Sequence, residues 1–167
     1  DVKYFLGDLS NPSDELTSFV DGVDILYHCA GETINESLMQ ELHVNGTRRL
    51  SIVAKGKIGR WVQLSSVGVY GRSRHEIITE HSIEQPSGVY EETKTEADRI
   101  IKKSGIPYAI LRPSIIFGDD MPNKSLKALL RNIQLGLFFF IGKKNKSLVN
   151  YVHVSDVVNA LICCGSD

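Results

Sequence analysis

Short apolar runs alternate along the chain with stretches whose apolar residues recur every three or four positions, the pattern of strands alternating with amphipathic helices. VKYFLGDL, residues 2–9, predicts a strand running into an acidic loop, and Asn11-Pro12 offers a cap and first-turn proline for a short helix that Gly22 closes. VDILYHCAG, residues 23–31, is a continuous apolar run of the kind covered on both faces. Thr33 and Glu36 have the spacing of a capping box, opening a long helix to about Ala54 with Leu38, Met39, Leu42 and Leu50 on its buried side. RWVQLSSVGVY, residues 60–70, predicts a third strand, and a polar loop from Gly71 to Ser87 follows it. The next helix carries Tyr90 and Lys94 and ends at Lys102, Lys103 and Gly105, in keeping with C-terminal charge and capping preferences.

IPYAILRPSIIFG, residues 106–118, predicts a fourth strand. Beyond it come a helix near Ser125–Leu135, a loop rich in lysine and asparagine, a short β-like YVHV, and a helix from about Asp156 to Cys164. Strands alternating with helices predict an α/β fold on a parallel sheet with right-handed crossovers.

Composition narrows the class without naming a function. With 167 residues, 42% hydrophobic, 23% charged and a net charge of −1, the chain has the make-up of one soluble globular domain. No apolar run approaches a membrane span, and LGLFFFIG is far too short for one. The near-zero charge leaves no electrostatic footprint for nucleic acid, and the lysines of GKKNK read as solvated surface. Cys29, Cys163 and Cys164 have neither metal-ligand nor disulfide-framework spacing, which predicts reduced thiols and a cytoplasmic setting. His28, His43, His75 and His81 show no metal spacing either.

Tyr90 and Lys94 are the candidate chemistry. On a helix, residues four apart share a face, so an ammonium can stand beside a phenol and favour its ionised form. A phenol with a pKa of about 10 needs a depression of roughly 3 units, about 4 kcal/mol, to act as a base near neutrality. The spacing alone is common on helices, where it also serves solubility and cation–π contact. Its setting between two β-rich runs gives it weight.

Seven stretches in order carry a resemblance to a known family: GDL (7–9), HCAG (28–31), VNGT (44–47), LSSVGVYG (64–71), YEETK (90–94), LRPSIIFG (111–118) and YVHVSDV (151–157). The chain resembles the extended branch of the short-chain dehydrogenase/reductase superfamily, the NAD-dependent epimerase/dehydratase family. The resemblance implies a Rossmann-like, doubly wound parallel sheet, incomplete at its N-terminus. Residues 1–120 would form part of a dinucleotide-binding domain, and residues 121–167 part of a smaller substrate region that returns to the core.

The resemblance also implies site roles. Ser66, Tyr90 and Lys94 would be catalytic, with Ser66 rather than Ser65 as the active-site hydroxyl. Asp8 would accept a hydrogen bond from adenine, Leu9 would line the adenine pocket, and Ala30 and Gly31 would border the cofactor's phosphates and ribose. Asn45 would order water leading to the lysine, unless it merely faces solvent. Pro113 would lie near the nicotinamide, and His153 would face the substrate, with Asp156 nearby. Each has a plainer reading, a helix cap for Asp8 and a structural histidine for His153. The cofactor would be NAD or NADP, and the substrate a small molecule, a nucleotide sugar ahead of a hydroxysteroid or flavonoid. A cofactor-binding subunit without turnover is a further alternative, and a homodimer is one assembly open to the protein.

Two departures matter. Val67 and Gly68 stand where sugar-nucleotide dehydratases of this branch carry an Asp-Glu pair, which disfavours dehydration. VNYVHV lacks the arginine that many epimerases have just before this motif. The glycine-rich phosphate turn is also absent from these residues, so the resemblance implies some 40 to 50 further residues before Asp1, on the scale of a βαβ unit of about 30 residues or more. In the strand order 3-2-1-4-5-6 that omission leaves a gap of roughly 14 Å beside the first strand. On this reading the 167 residues alone would be inactive.

Overall fold

The computed structural model describes residues 2–11, 16–71, 77–119, 121, 125–139 and 149–166. Three parallel strands, β1 (Ile25–His28), β2 (Arg60–Leu64) and β3 (Tyr108–Leu111), form the main sheet in the order β1-β2-β3. The register sets Ile25 against Arg60 and Trp61 against Tyr108. A second, two-stranded parallel sheet joins β4 (Ile115–Phe117) to β5 (Tyr151–His153). The α/β class and parallel pairing are as the sequence predicts.

Strand alternation sorts side chains to two faces of the main sheet. On one face Leu26 and Trp61 join Val20, Leu50, Ala54, Ile58, Ile101 and Ile106 in a buried cluster. The helices supplying it are α1 (Thr17–Val20), α3 (Thr47–Ala54) and α4 (Val89–Ser104). On the other face Val62 packs with Val157 and Leu161 of α6 (Val154–Ser166), against which Ile25, Leu64, Leu111, Ile116 and Val152 also lie. Helices on both faces make the sheet doubly wound. One further helix, α5 (Ser125–Gln134), follows β4.

Several predicted elements differ, each for a local physical reason. Residues 2–8 are not a strand: no ladder joins them to a strand among the described residues, and Tyr4 and Leu6 are fully in solvent. A strand is defined by its ladder, and apolar residues without one have nothing to hold them extended. The predicted capping box is replaced by two local caps. Asn35 accepts from Ser37 N–H and opens α2 (Glu36–Met39), while Glu32 Oε1 accepts from the N–H groups of Thr33, Ile34 and Asn35. Met39 and Leu50 are buried as predicted, but Leu38 is exposed.

The long helix is also not uniform, since Gln40–Gly46 between α2 and α3 is π-helical. The third predicted strand ends at Leu64, and Val67–Tyr70 forms a 3₁₀ turn. The fourth divides at Arg112-Pro113-Ser114, where proline offers no N–H to a ladder, and its second half belongs to the other sheet. α6 begins at Val154, two residues before Asp156. The proline of the Asn11-Pro12 cap, His75 and GKKNK lie outside the described residues.

Gly71 closes the 3₁₀ turn at φ +67°, and a Cβ there would stand 1.9 Å from the Gln85 carbonyl oxygen. Gly71→Ala combines strain with a backbone collision, and is expected to cost about 1–3 kcal/mol or more. Urea unfolding of the full-length protein measures it.

Candidate active site

Lys94 lies in the second turn of α4 and is buried, its ammonium donating a 2.6 Å hydrogen bond to the Leu64 carbonyl at the end of β2. This bond ties the helix to the strand end that leads into Ser65 and Ser66. An ammonium has three donors, and among the described residues Lys94 uses one. Burial pushes its pKa down, while Asp98 and Cys29 oppose the shift.

The two serines have different jobs. Ser65 is buried and its hydroxyl donates to Asp98 Oδ2 at 2.8 Å, so its proton is committed. Ser66 caps the 3₁₀ turn by accepting from Gly68 N–H at 3.1 Å, which leaves its own O–H available to donate. Pro113 lies beside it, since the Pro113 carbonyl accepts from Val67 N–H at 3.0 Å.

Arg112 holds this corner together. Its guanidinium donates to Asp98 Oδ2 at 2.9 Å, to Glu84 Oε1 at 2.5 Å and to the Tyr70 hydroxyl at 2.7 Å. The strand exit, α4 and the 3₁₀ turn are thereby joined by charge-assisted bonds. The sequence marks Arg112 only as the residue before a proline.

Tyr90 stands in the first turn of α4, half-buried, its ring edge-on to that of His43 with centroids 5.7 Å apart. Burial pushes the phenol's pKa up, and the neighbouring Glu91 carboxylate adds to the rise. The sequence-based expectation has the opposite sign. Lys94 shares the helix face but directs its ammonium at Leu64, so in the free protein the desolvation of the phenolate wins. Glu91 was not legible as a site neighbour. Its side chain fills the space that a Cβ on Gly68 or Gly88 would need.

His43 is the other residue that sequence reasoning missed. It is buried, its Nε2 accepts from Glu32 N–H at 2.8 Å, and its Nδ1 is 2.9 Å from Thr93 Oγ1. Asn45 points elsewhere: its amide donates to Glu41 Oε2 at 2.5 Å and accepts from Arg48 at 3.1 Å. Altered winding in Gln40–Gly46 changes which residues face α4, and period-3.6 reasoning cannot see that.

Ala30 and Gly31 follow β1 directly, and a Cβ on Gly31 would meet His43 Nε2 at 3.5 Å. Asp8 is exposed. Hydrogen bonds from Ser10, side chain then backbone, hold its carboxyl below the usual range, in a turn where Asn11 N–H donates to the Asp8 carbonyl. It therefore caps a turn. Leu9 packs against the core, and its carbonyl accepts from Arg49, which also pairs with Glu41 at 2.7 Å. Gly46 allows this approach, since a Cβ there would lie 3.0 Å from the Leu9 carbonyl oxygen.

No hydrogen bond or ring contact joins His153 to the serine, tyrosine or lysine among the described residues. Its Nδ1 accepts from Ser155, and its ring meets Phe117 edge-on at 5.1 Å. It lines a cavity of about 900 Å³ with Thr33, Ile34, Ile116 and Phe117, and neither Ser66, Tyr90 nor Lys94 is among the described lining residues. Asp156 is exposed in the first turn of α6. Among the described residues no group of His, Cys, Asp and Glu could hold a metal ion, the three cysteines are free, and no helix is long and apolar enough to cross a membrane.

A parallel sheet with helices on both faces, its central strand ending at the Leu64 carbonyl that holds the Lys94 ammonium, defines a Rossmann-like α/β protein. The chain belongs to the NAD dependent epimerase/dehydratase family, whose model matches residues 1–166. It is 27% identical over 184 residues to the human protein named short-chain dehydrogenase/reductase family 42E member 1, and 28% identical over 185 residues to the bovine one. These alignments cover 96% of this chain and 47% of the relatives, so the chain spans about half their length. MoeE5 in complex with UDP-glucuronic acid and NAD superposes with a TM-score of 0.78 at 26% identity, over 98% of this chain and 58% of that one. UDP-N-acetylglucosamine 4-epimerase from Methanobrevibacter ruminantium M1, in complex with UDP-N-acetylmuramic acid, shares the fold. Its TM-score is 0.79 at 19% identity, with 96% of this chain and 56% of that chain covered.

Proposed function

We propose that these residues belong to an NAD(P)-dependent oxidoreductase or epimerase acting on a hydroxyl or keto group, with Ser66, Tyr90 and Lys94 as its catalytic residues. The observation that carries this is the seat of Lys94: a buried ammonium anchored on the Leu64 carbonyl, one helical turn from Tyr90 and two residues from Ser66 along the chain of its acceptor. Family membership and the NAD in the MoeE5 complex support the cofactor. The residues suit such a group, since the spare donors of Lys94 fit a ribose diol, and the turn at Ala30 and Gly31 presents little side-chain bulk. Asp8, Leu9 and Pro113 complete the cofactor-facing set in this reading, while Asn45, bonded to Glu41 and Arg48, would act only through water.

The chemistry follows from the donors. Tyr90 takes the proton of a substrate hydroxyl or returns it to a carbonyl, and Ser66 donates to the same oxygen as negative charge develops there. The nicotinamide, when bound, supplies the hydride donor or acceptor. Lys94 adds positive charge on the helix face of Tyr90 and lowers the cost of the phenolate. Val67 and Gly68 supply no acid or base, so the reading favours epimerisation or net oxidation and reduction over dehydration.

A nucleotide sugar is the proposed substrate, supported by the UDP-glucuronic acid of the MoeE5 complex. The cavity beside His153 favours a second reading, a hydroxysteroid- or flavonoid-type substrate, because Ile34, Ile115, Ile116, Phe117, Met121 and Val154 line it. The full-length protein, incubated with NAD or NADP and in turn with UDP-glucose, UDP-glucuronic acid and a 3-hydroxysteroid, decides. Conversion of a UDP-sugar is the expected result, steroid oxidation alone would transfer the assignment to the second reading, and NADH binding without any turnover would mark a sensor.

A further inference from the structure

His43 uses both ring nitrogens, and each bond leads to a different part of the candidate site. Because the Glu32 N–H donates to Nε2, that nitrogen carries a lone pair, and Nδ1 carries the proton donated to Thr93 Oγ1. Thr93 in turn lies 2.8 Å from the Val89 carbonyl oxygen and 3.0 Å from that of Tyr90, and donates its hydroxyl proton to this pair. The imidazole ring also meets the Tyr90 ring edge-on, 83° between planes. One buried side chain therefore spans from the turn after β1 to the first turn of α4.

The ring is held neutral. Its charged neighbours are the Lys94 ammonium and the Glu32 carboxylate, with the uncharged His28 and Tyr90 close by, and burial followed by Lys94 brings its pKa down to about 4. A neutral imidazole alone offers one acceptor and one donor at once, which this pair of bonds requires.

Resting on the reading of function given above, we propose that His43 is a positioning residue: through Thr93, which bonds the Val89 and Tyr90 carbonyls, and through its edge-on contact with the Tyr90 ring, it ties the first turn of α4 to the Ala30–Glu32 turn that borders the cofactor. Seating of the cofactor and placement of the phenol are then set by one rigid link. An apolar ring would fill the same space but hold neither end.

Amide substitutions separate the two ends. In His43→Asn the amide nitrogen takes the place of Nδ1, keeping the Thr93 contact and losing Glu32. In His43→Gln the amide oxygen takes the place of Nε2, keeping Glu32 and losing Thr93. In the full-length protein, with NADH as the binding probe and the UDP-sugar that it converts as substrate, His43→Gln and Thr93→Val are each expected to lower kcat about 10-fold with NADH affinity preserved. His43→Asn is expected to weaken NADH binding by about 5- to 10-fold with kcat largely kept. Thr93→Ser should restore kcat, and the threonine pair carries the test where His43→Gln does not fold. Equal effects of the two amides on both quantities, or failure of Thr93→Ser to rescue, would overturn the inference while leaving wild-type turnover intact. A wild-type protein that neither binds NADH nor turns over any candidate sinks the reading of function, and this inference with it.

Discussion

Tyr90→Phe is expected to lower kcat by about 10²–10⁴-fold while NADH affinity stays nearly unchanged. The substitution removes only the phenol oxygen. The ring that packs edge-on against His43 is kept, and the Lys94–Leu64 bond does not involve it. The raised pKa of Tyr90 adds a direction to the prediction. In the free protein burial and Glu91 keep the phenol protonated at neutral pH, poised to donate a proton to a reduced carbonyl. Acting as a base requires further positive charge at the site, which an oxidised nicotinamide held by Lys94 would supply. Oxidation should therefore rise with pH over a range where reduction does not. Steady-state kinetics of the full-length protein in both directions, with NADH titrations of the variant, check this; an unchanged kcat would remove Tyr90 from the chemistry.

Acid should destabilise the protein before it reaches the range in which most carboxylates titrate. His28 is buried against Thr47 Oγ1 and the Trp61 ring, and burial followed by Lys94 brings its pKa down to about 3; His43 is brought down to about 4. In the unfolded chain both titrate near 6.5. Between that value and about 4 the unfolded state binds protons that the native state refuses, so stability falls as pH falls. The slope approaches about 1.4 kcal/mol per pH unit for each histidine only below its unfolded pKa, so the pair loses about 3 kcal/mol between pH 6.5 and 5. That is a large share of the roughly 5–15 kcal/mol of a typical fold.

The carboxylates held low, Glu84 among them, lose their contribution only at lower pH, and Asp98, raised by burial, acts in the opposite sense. Urea unfolding at pH 7 and pH 5 measures the effect. The full-length protein should lose most of its midpoint shift when both histidines are replaced by asparagine, and a pH-independent midpoint would contradict the prediction.

Much of the frame was legible because its signals are local. Apolar runs in 23–31 and 60–64 mark strands whatever lies around them, although β1 leaves Tyr27 exposed instead of covered on both faces, and Gly105 after Lys102 and Lys103 marks the end of α4 through its left-handed conformation at φ +78°. Tyr90 and Lys94 could be picked out from their spacing on one helix, whereas Ser66 rested on the family resemblance. Errors arose where a neighbour distant in sequence decides the outcome. Residues 2–8 have strand composition but no ladder partner among the described residues, and Arg112-Pro113-Ser114 divides an apolar run between two sheets.

What the sequence determined by itself is therefore the α/β alternation, the family, and the identities of the three candidate catalytic residues. Tertiary structure decided how those residues are held and charged. It sent the Lys94 ammonium to Leu64, committed Ser65 to Asp98, turned Asn45 away and brought His43 to Tyr90 through a π-helical segment. The physical reason is range. Propensity and periodicity act over a few residues along the chain, whereas desolvation and hydrogen bonding depend on groups such as His43 and Thr93, 50 positions apart, that meet only when the chain has folded.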